Sequence, residues 1–327
     1  MKIIVIGGSG FIGTNLVEIL KDTHEVKIVD KQMSHFFPEL TTIANICDVD
    51  ALRSALEPAD IVVNLAAEHR DDVSPKSLYY DVNVQGTKNI LQVMDEKGIK
   101  TIFFTSSVAV YGLNKVNPNE EHPVDPFNDY GITKYQAEEV LREWYNRDQS
   151  NHNLFVLRPT VVFGPRNRGN VYNLLKQIAS GKFMMIGKGQ NKKSMAFVKN
   201  IVGFIQYAID SNKYSGNNVY NYIDKPDLST IELVQIAEKA TGKSLSPMKI
   251  PYALGYLGGL GFDVLAKITG KKLTISSVRI KKFCATTQFD SSKMLATGYK
   301  APYTLSEGIS ETIKSILDGV EGIFESH

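Results

Sequence analysis

The run KIIVIGGSGFIG, from Lys2 to Gly13, joins an apolar segment of strand length to a glycine-rich turn and then to a helical pattern. Gly7, Gly10 and Gly13 fall where such a strand gives way to a helix, and that is where a pyrophosphate-binding turn belongs. Small side chains let backbone N–H groups approach phosphate oxygens. A helix opening near Phe11 and Ile12 adds its unpaired amides and the positive end of its dipole. Gly13 lets that helix lie close against the strand. The same spelling without flanking strands would mark only a tight turn.

Working outward, apolar runs of strand length recur at Val26–Asp30, Ile61–Leu65, Thr101–Thr105 and Leu154–Pro159, with a late one near Asn218–Ile223. Helical patterns lie between them at Phe11–Lys21, Leu78–Glu96, Asp129–Tyr145 and Asn200–Asp210. This alternation predicts parallel βαβ units. The expected fold is α/β: a Rossmann-type doubly wound parallel sheet of six or seven strands with a smaller α/β substrate lobe. Residues 1–165 form the cofactor half, with 194–226 and part of 283–292 returning to it, and 166–193, 227–282 and 293–327 form the lobe.

Val26–Asp30 ends in a carboxylate placed to accept hydrogen bonds from ribose hydroxyls, which favours NAD. A 2′-phosphate would meet that negative charge, although Lys31 next door leaves NADP weakly open. Asp48, after the strand-like Ile43–Cys47, is either an acceptor for the adenine amino group or a surface-loop residue.

Bulk properties narrow the classes. A formal charge of +2 from 37 basic and 35 acidic side chains gives no field for nucleic acid. The 2 cysteines, Cys47 and Cys284, suggest neither a disulfide framework nor a metal site. The amino terminus opens directly on a strand without the regions of a secretory signal, so a cytoplasmic location is expected. The apolar stretch Tyr252–Ile268 carries glycines and Asp263 and falls short of the ~20 residues of a stable membrane span. It reads as lobe core or a pair of short helices, with a membrane-surface patch as the looser reading.

Tyrosine followed four residues later by lysine occurs at Tyr111/Lys115, Tyr130/Lys134 and Tyr172/Lys176. The first lies among loop residues, and the last has no strand end before it. Tyr130 and Lys134 open a helix capped by Asn128 or Asp129, on one stripe with Ala137, Leu141 and Trp144. An ammonium on that inward face needs an ion pair, or else ribose hydroxyls and a phenol oxygen. A nearby cation favours the phenolate, so the pair suits proton transfer. Upstream, the strand Thr101–Thr105 runs into Ser106 and Ser107 at the sheet edge where ligands bind, and a hydroxyl there can hold a substrate oxygen.

Together with NLAA (Asn64–Ala67), DVNVQGT around Asn83, TSSVAVYG, YGITK and LRPTVVFGPR, these segments resemble the extended short-chain dehydrogenase/reductases of the NAD-dependent epimerase/dehydratase family, over nearly the whole chain. The resemblance implies a catalytic trio of Ser107, Tyr130 and Lys134. It implies cofactor contacts from Leu65, Ala66, Ala67, Asn83, Pro159 and Val161, with Val49 beside Asp48, and Thr105 at the strand end. For the substrate it implies His69, Ser107, Asn170, Lys193 and Arg279. Lys192 and Lys193 stand where relatives commonly carry a diphosphate-clamping arginine. A homodimer through the helices near Leu78–Glu96 and Asp129–Tyr145 is implied too.

The chemistry expected is a nucleotide-sugar 4-epimerase on a UDP-hexose or UDP-N-acetylhexosamine. The alternatives are a 4-ketohexose reductase and a hydroxysteroid-type dehydrogenase. Ser107-Val108 stands where similar dehydratases carry Asp-Glu, which disfavours 4,6-dehydration.

Overall fold

A computed structural model describes residues 1–70, 73–244, 248–270, 276–319 and 324, apart from the side chains of 279 and 282. The first unit is β1 (Lys2–Ile6), α1 (Phe11–Leu20) and β2 (Glu25–Asp30). There follow β3 (Thr41–Ile43), α2 (Val49–Ala55), β4 (Ile61–Asn64), α3 (Ser77–Tyr80), α4 (Gly86–Lys97), β5 (Thr101–Thr105), α5 (Asp129–Arg147) and β6 (Asn153–Pro159). Next come β7 (Val161–Phe163), α6 (Asn170–Ala179), β8 (Met184–Ile186), β9 (Lys192–Phe197), α7 (Val198–Asp210) and β10 (Asn217–Tyr222). The chain continues through β11 (Asp224–Ser229), α8 (Thr230–Thr241), β12 (Met248–Ile250), α9 (Tyr252–Thr269) and α10 (Ser277–Cys284), then α11 (Ser292–Leu295) and α12 (Leu305–Leu317).

Seven strands pair in the order β10-β6-β5-β4-β1-β2-β3, all parallel. Helices cover both faces, so the central strand β1 is apolar at four consecutive positions, Ile3 to Ile6. Ile3 and Val5 join one core cluster, and Ile4 and Ile6 join the other. Chain order reverses between β1 and β4, and the crevice beyond their carboxyl ends is the natural ligand site.

Four expectations change. The strand predicted at Ile43–Cys47 lies earlier, at Thr41–Ile43, and is short and solvent-facing. Its pairing stops where the Asn45 side chain turns back to the Cys47 N–H at 3.0 Å. The helix predicted over Leu78–Glu96 is broken by a π-turn at Asp81–Gln85. Of the segment 194–226, β10 joins the large sheet and α7 packs on α1. By contrast, β9 and β11 pair with β7 in a separate three-stranded sheet.

Tyr252–Ile268 is neither core nor two short helices. It is one 18-residue helix in which only Gly259 is fully buried. Gly255 and Gly259 take the inward positions, where an added Cβ would lie 2.7 Å from Ile186 Cγ2 and 2.8 Å from Ile280 Cδ1. That leaves the leucines on the outside.

Candidate active site

The first glycine turn is shaped by close backbone approach. Gly7 has φ +78°, and a Cβ there would stand 2.7 Å from the Ala66 nitrogen. At Gly13 a Cβ would stand 2.5 Å from Gly7 O and from Gly8 Cα, so α1 rests directly on the turn. Gly10 differs: its Cβ would meet only Gly7 O, at 3.3 Å. Packing within the protein constrains position 10 less than positions 7 and 13. Phe11 and Ile12 open α1. Asp30, 9% exposed at the end of β2, accepts from Ser9 N–H at 3.0 Å and Gln32 N–H at 3.3 Å, which ties the acid to the turn.

Across the switch point, Leu65, Ala66 and Ala67 follow β4, half-buried. Ala66 N–H donates to the Asn64 side chain at 3.1 Å. Asn83 is buried, and the π-turn carries it to the same loop. It accepts from Glu68 N–H at 2.8 Å, and its amide donates to Glu68 O and to Thr133 Oγ1, each at 3.0 Å. One side chain therefore fixes the loop after β4 to the first turn of α5. Asp48 caps α2, accepting from Asp50 N–H and Ala51 N–H at 3.1 and 3.0 Å, with Val49 half-buried beside it.

Asn128 caps α5 by accepting from Gly131 N–H at 2.9 Å. Ala137, Leu141 and Trp144 lie in the core, so the stripe that begins at Tyr130 and Lys134 faces the sheet. Lys134 is 2% exposed, with its Nζ 4.1 Å from the ring centre of Phe104 on β5. No acceptor hydrogen-bonds that ammonium among the described residues, and burial lowers its pKa to about 7, opposed by the charge of Glu138. Tyr130 is raised above its ordinary value by burial, and its hydrogen bond with Ser107 pulls the other way. Ser107 caps the short turn Val108–Tyr111, accepting from Ala109 N–H at 3.1 Å. Thr105 ends β5 beside them.

Beneath this trio lies a network that sequence reasoning did not find. Arg158 on β6 donates to Glu138 through Nε at 2.9 Å and Nη2 at 2.6 Å, and through Nη1 to Tyr111 Oη at 2.8 Å. Tyr111 Oη donates to Asn221 at 2.7 Å, and the Ser106 hydroxyl donates to Glu138. Tyr111 is thus part of the buried support, while its spacing partner Lys115 pairs with Asp125 at the surface. Glu138 stands four residues after Lys134, and that spacing was the available signal.

The remaining residues lie around the crevice and in the lobe. Pro159 is buried at the end of β6, and Val161 is 41% exposed. His69 stands on the exposed side of the loop after β4, and its pKa is lowered chiefly by desolvation, against a hydrogen bond to the Ala67 backbone. Asn170 is exposed at the start of α6. Lys193, half-buried on β9, donates to Thr287 at 3.2 Å and is lowered by burial, while Lys192 is exposed. Arg279 falls in α10, but its side chain lies outside the described residues.

A glycine turn at the switch point, an acid hydrogen-bonded to that turn and a buried ammonium with no hydrogen-bond acceptor among the described residues fit a dinucleotide. Fold and site define an enzyme of the short-chain dehydrogenase type that uses NAD. The chain belongs to the NAD dependent epimerase/dehydratase family, whose model matches residues 3–222.

It is 60% identical to an N-acetyl-alpha-D-glucosaminyl-diphospho-ditrans,octacis-undecaprenol 4-epimerase of Escherichia coli O157:H7, over 96% of this chain and 94% of that one. It is 29% identical to a UDP-glucose 4-epimerase of Vibrio cholerae, over 97% of this chain and 95% of that one. In fold it resembles a UDP-glucuronic acid 4-epimerase of Bacillus cereus solved with NAD, with a TM-score of 0.75 at 21% identity, covering 98% and 100% of the two chains.

Proposed function

We propose that this protein is a sugar 4-epimerase acting on a UDP-hexose or UDP-N-acetylhexosamine by transient hydride transfer at C4. The observation that carries the reading is the cluster of Ser107, Tyr130 and buried Lys134 with no free acid beside it among the described residues. Val108 follows Ser107, and Glu138 is held by Arg158 and Ser106. Among the described residues no carboxylate there is available to expel a neighbouring hydroxyl, so the site suits oxidation and re-reduction at one carbon. NAD, held by the glycine turn and Asp30, would supply the hydride acceptor and donor for C4. Tyr130 Oη removes and restores the proton of the C4 hydroxyl, with the Lys134 charge favouring the phenolate. Ser107 holds the same oxygen in line.

Pro159 and Val161 bound the nicotinamide side in this reading. His69, Asn170, Lys193 and Arg279 serve the sugar diphosphate, the lysine by charge without the two-pronged grip of a guanidinium. A second reading, favoured by the relative at 60% identity, replaces the nucleotide with a polyprenyl carrier on the same diphosphate.

The purified protein, without added cofactor, is incubated with UDP-glucose, UDP-N-acetylglucosamine and polyprenyl-diphospho-N-acetylglucosamine, and C4 inversion is read by NMR. Inversion of the first two supports the main reading, and inversion of the last alone supports the second. Net oxidation or reduction that consumes stoichiometric cofactor would instead indicate a ketoreductase.

Cytoplasmic work as a homodimer through α4 and α5 belongs to the same proposal. The exposed side chains there include Lys88, Gln92, Glu96, Glu139 and Glu143, so polar contacts would make that interface. Light scattering that returned a monomer mass would remove it.

A further inference from the structure

Helix α9 is built inside out. Toward the protein it presents Gly255, Gly259, Asp263 and Ala266, with Asp263 accepting from the Ser277 N–H and hydroxyl. Toward solvent it presents Leu254, Leu257, Phe262, Val264, Leu265 and Ile268, each at least 40% exposed and Ile268 76%. At ~1.5 Å per residue the helix is roughly 27 Å long. The small sheet, whose Ile186 lies under Gly255, adds Met184 and Met248, paired in register and both exposed. A contiguous apolar surface of this kind marks an interaction site. No helix among the described residues is long and apolar enough to cross a membrane.

Charge decides what covers it. From Lys243 to Lys282 the chain carries eight basic residues and a single acid, Asp263, which is already bonded to Ser277. Lys243, Lys249, Lys267 and Lys281 are exposed, Lys267 on α9 itself and Lys249 next to Met248 on β12. A second copy docking through the same face would bring these cations together, whereas an anionic lipid surface neutralises them while taking up the leucines.

We infer that α9 is a membrane-docking helix that lies in the interface of a bilayer rich in anionic lipid, its apolar side among the acyl chains and its lysines at the headgroups. The inference goes beyond the epimerase reading and does not rest on it.

The full-length protein is floated with phosphatidylcholine vesicles and with vesicles of phosphatidylcholine and phosphatidylglycerol, at low and at high salt. Binding to the anionic vesicles is expected to exceed binding to the neutral ones and to weaken with salt. Lys267→Gln should lower the partition coefficient roughly fivefold, the effect of one basic residue at an anionic surface. Leu257→Glu with Ile268→Glu should abolish binding while leaving bound NAD and turnover of a water-soluble sugar substrate unchanged.

Equal flotation of the wild type and the double variant would overturn the inference. So would failure of the wild type to bind anionic vesicles at low salt, or a double variant whose only change is dissociation of an oligomer. Vesicle binding without any epimerisation would sink the proposed activity and leave the docking helix standing.

Discussion

Burying the ammonium of Lys134 costs free energy that no acceptor among the described residues offsets. Burial lowers its pKa to about 7 from an ordinary 10.5, in line with that cost. Between those two pH values the unfolded chain keeps a proton that the folded chain has released, so this residue makes cofactor-free stability rise as pH climbs from about 7 toward 10. Lys134→Met is expected to remove that slope and to stabilise the cofactor-free protein at pH 7 by on the order of 2 kcal/mol, while abolishing turnover. Urea unfolding across the pH range checks it; a variant that keeps the slope refutes the assignment. Tyr130→Phe removes only a hydroxyl whose protein partner is Ser107. Turnover should fall by ~10²–10⁴, the usual contribution of a positioned proton-transfer group, with bound NAD and melting temperature near wild type.

Among the elements, the glycine turn and α1 separate ligand binding from packing. Gly13→Ala forces a Cβ to 2.5 Å from backbone, so it should both destabilise the fold and lose NAD. Gly10→Ala meets a single oxygen at 3.3 Å and should fold normally while its NAD occupancy drops several-fold. Absorbance of the released cofactor beside a melting curve distinguishes the two, and normal NAD content in Gly10→Ala would contradict the placement of the pyrophosphate.

The central strands and α5 were legible in the sequence because burial on both faces leaves a continuous apolar run, and burial on one face leaves a helical stripe. Many other elements were not, and three of them show why. Strand β3 is exposed and carries no apolar signal. The π-turn at Asp81–Gln85 has no spelling of its own, although it aims Asn83 at the loop after β4. Helix α9 was misread because an apolar run was assigned to the core, when its inward positions are glycines. The support under the catalytic trio joins Ser106, Glu138, Arg158, Tyr111 and Asn221 from distant segments, and only folding brings them together.

At the scale of the whole molecule, one buried carboxylate joins the large sheet to the smaller one. Asp224 follows β10 and opens β11, and it accepts from Phe197 N–H at 2.6 Å, Asn200 Nδ2 at 3.0 Å and Tyr222 Oη at 3.1 Å. Asn200 in turn donates to Tyr303 O at 2.8 Å, and its own carbonyl accepts from Tyr299 Oη at 2.8 Å, which ties in the segment before α12. Burial raises the Asp224 pKa from 3.8 to about 6 despite these donors. Between about pH 4 and 6 the folded protein therefore holds a proton that the unfolded chain has lost, so this group's contribution to stability falls as pH rises through that window. The total change is up to about 3 kcal/mol at ~1.4 kcal/mol per pKa unit. Asp224→Asn carries no charge and should lose that dependence. The difference in unfolding free energy between wild type and variant, measured across the window, is expected to move against the wild type as pH increases. A difference that stays flat would mean that Asp224 is ionised throughout and that its three donors, rather than its burial, set its charge state.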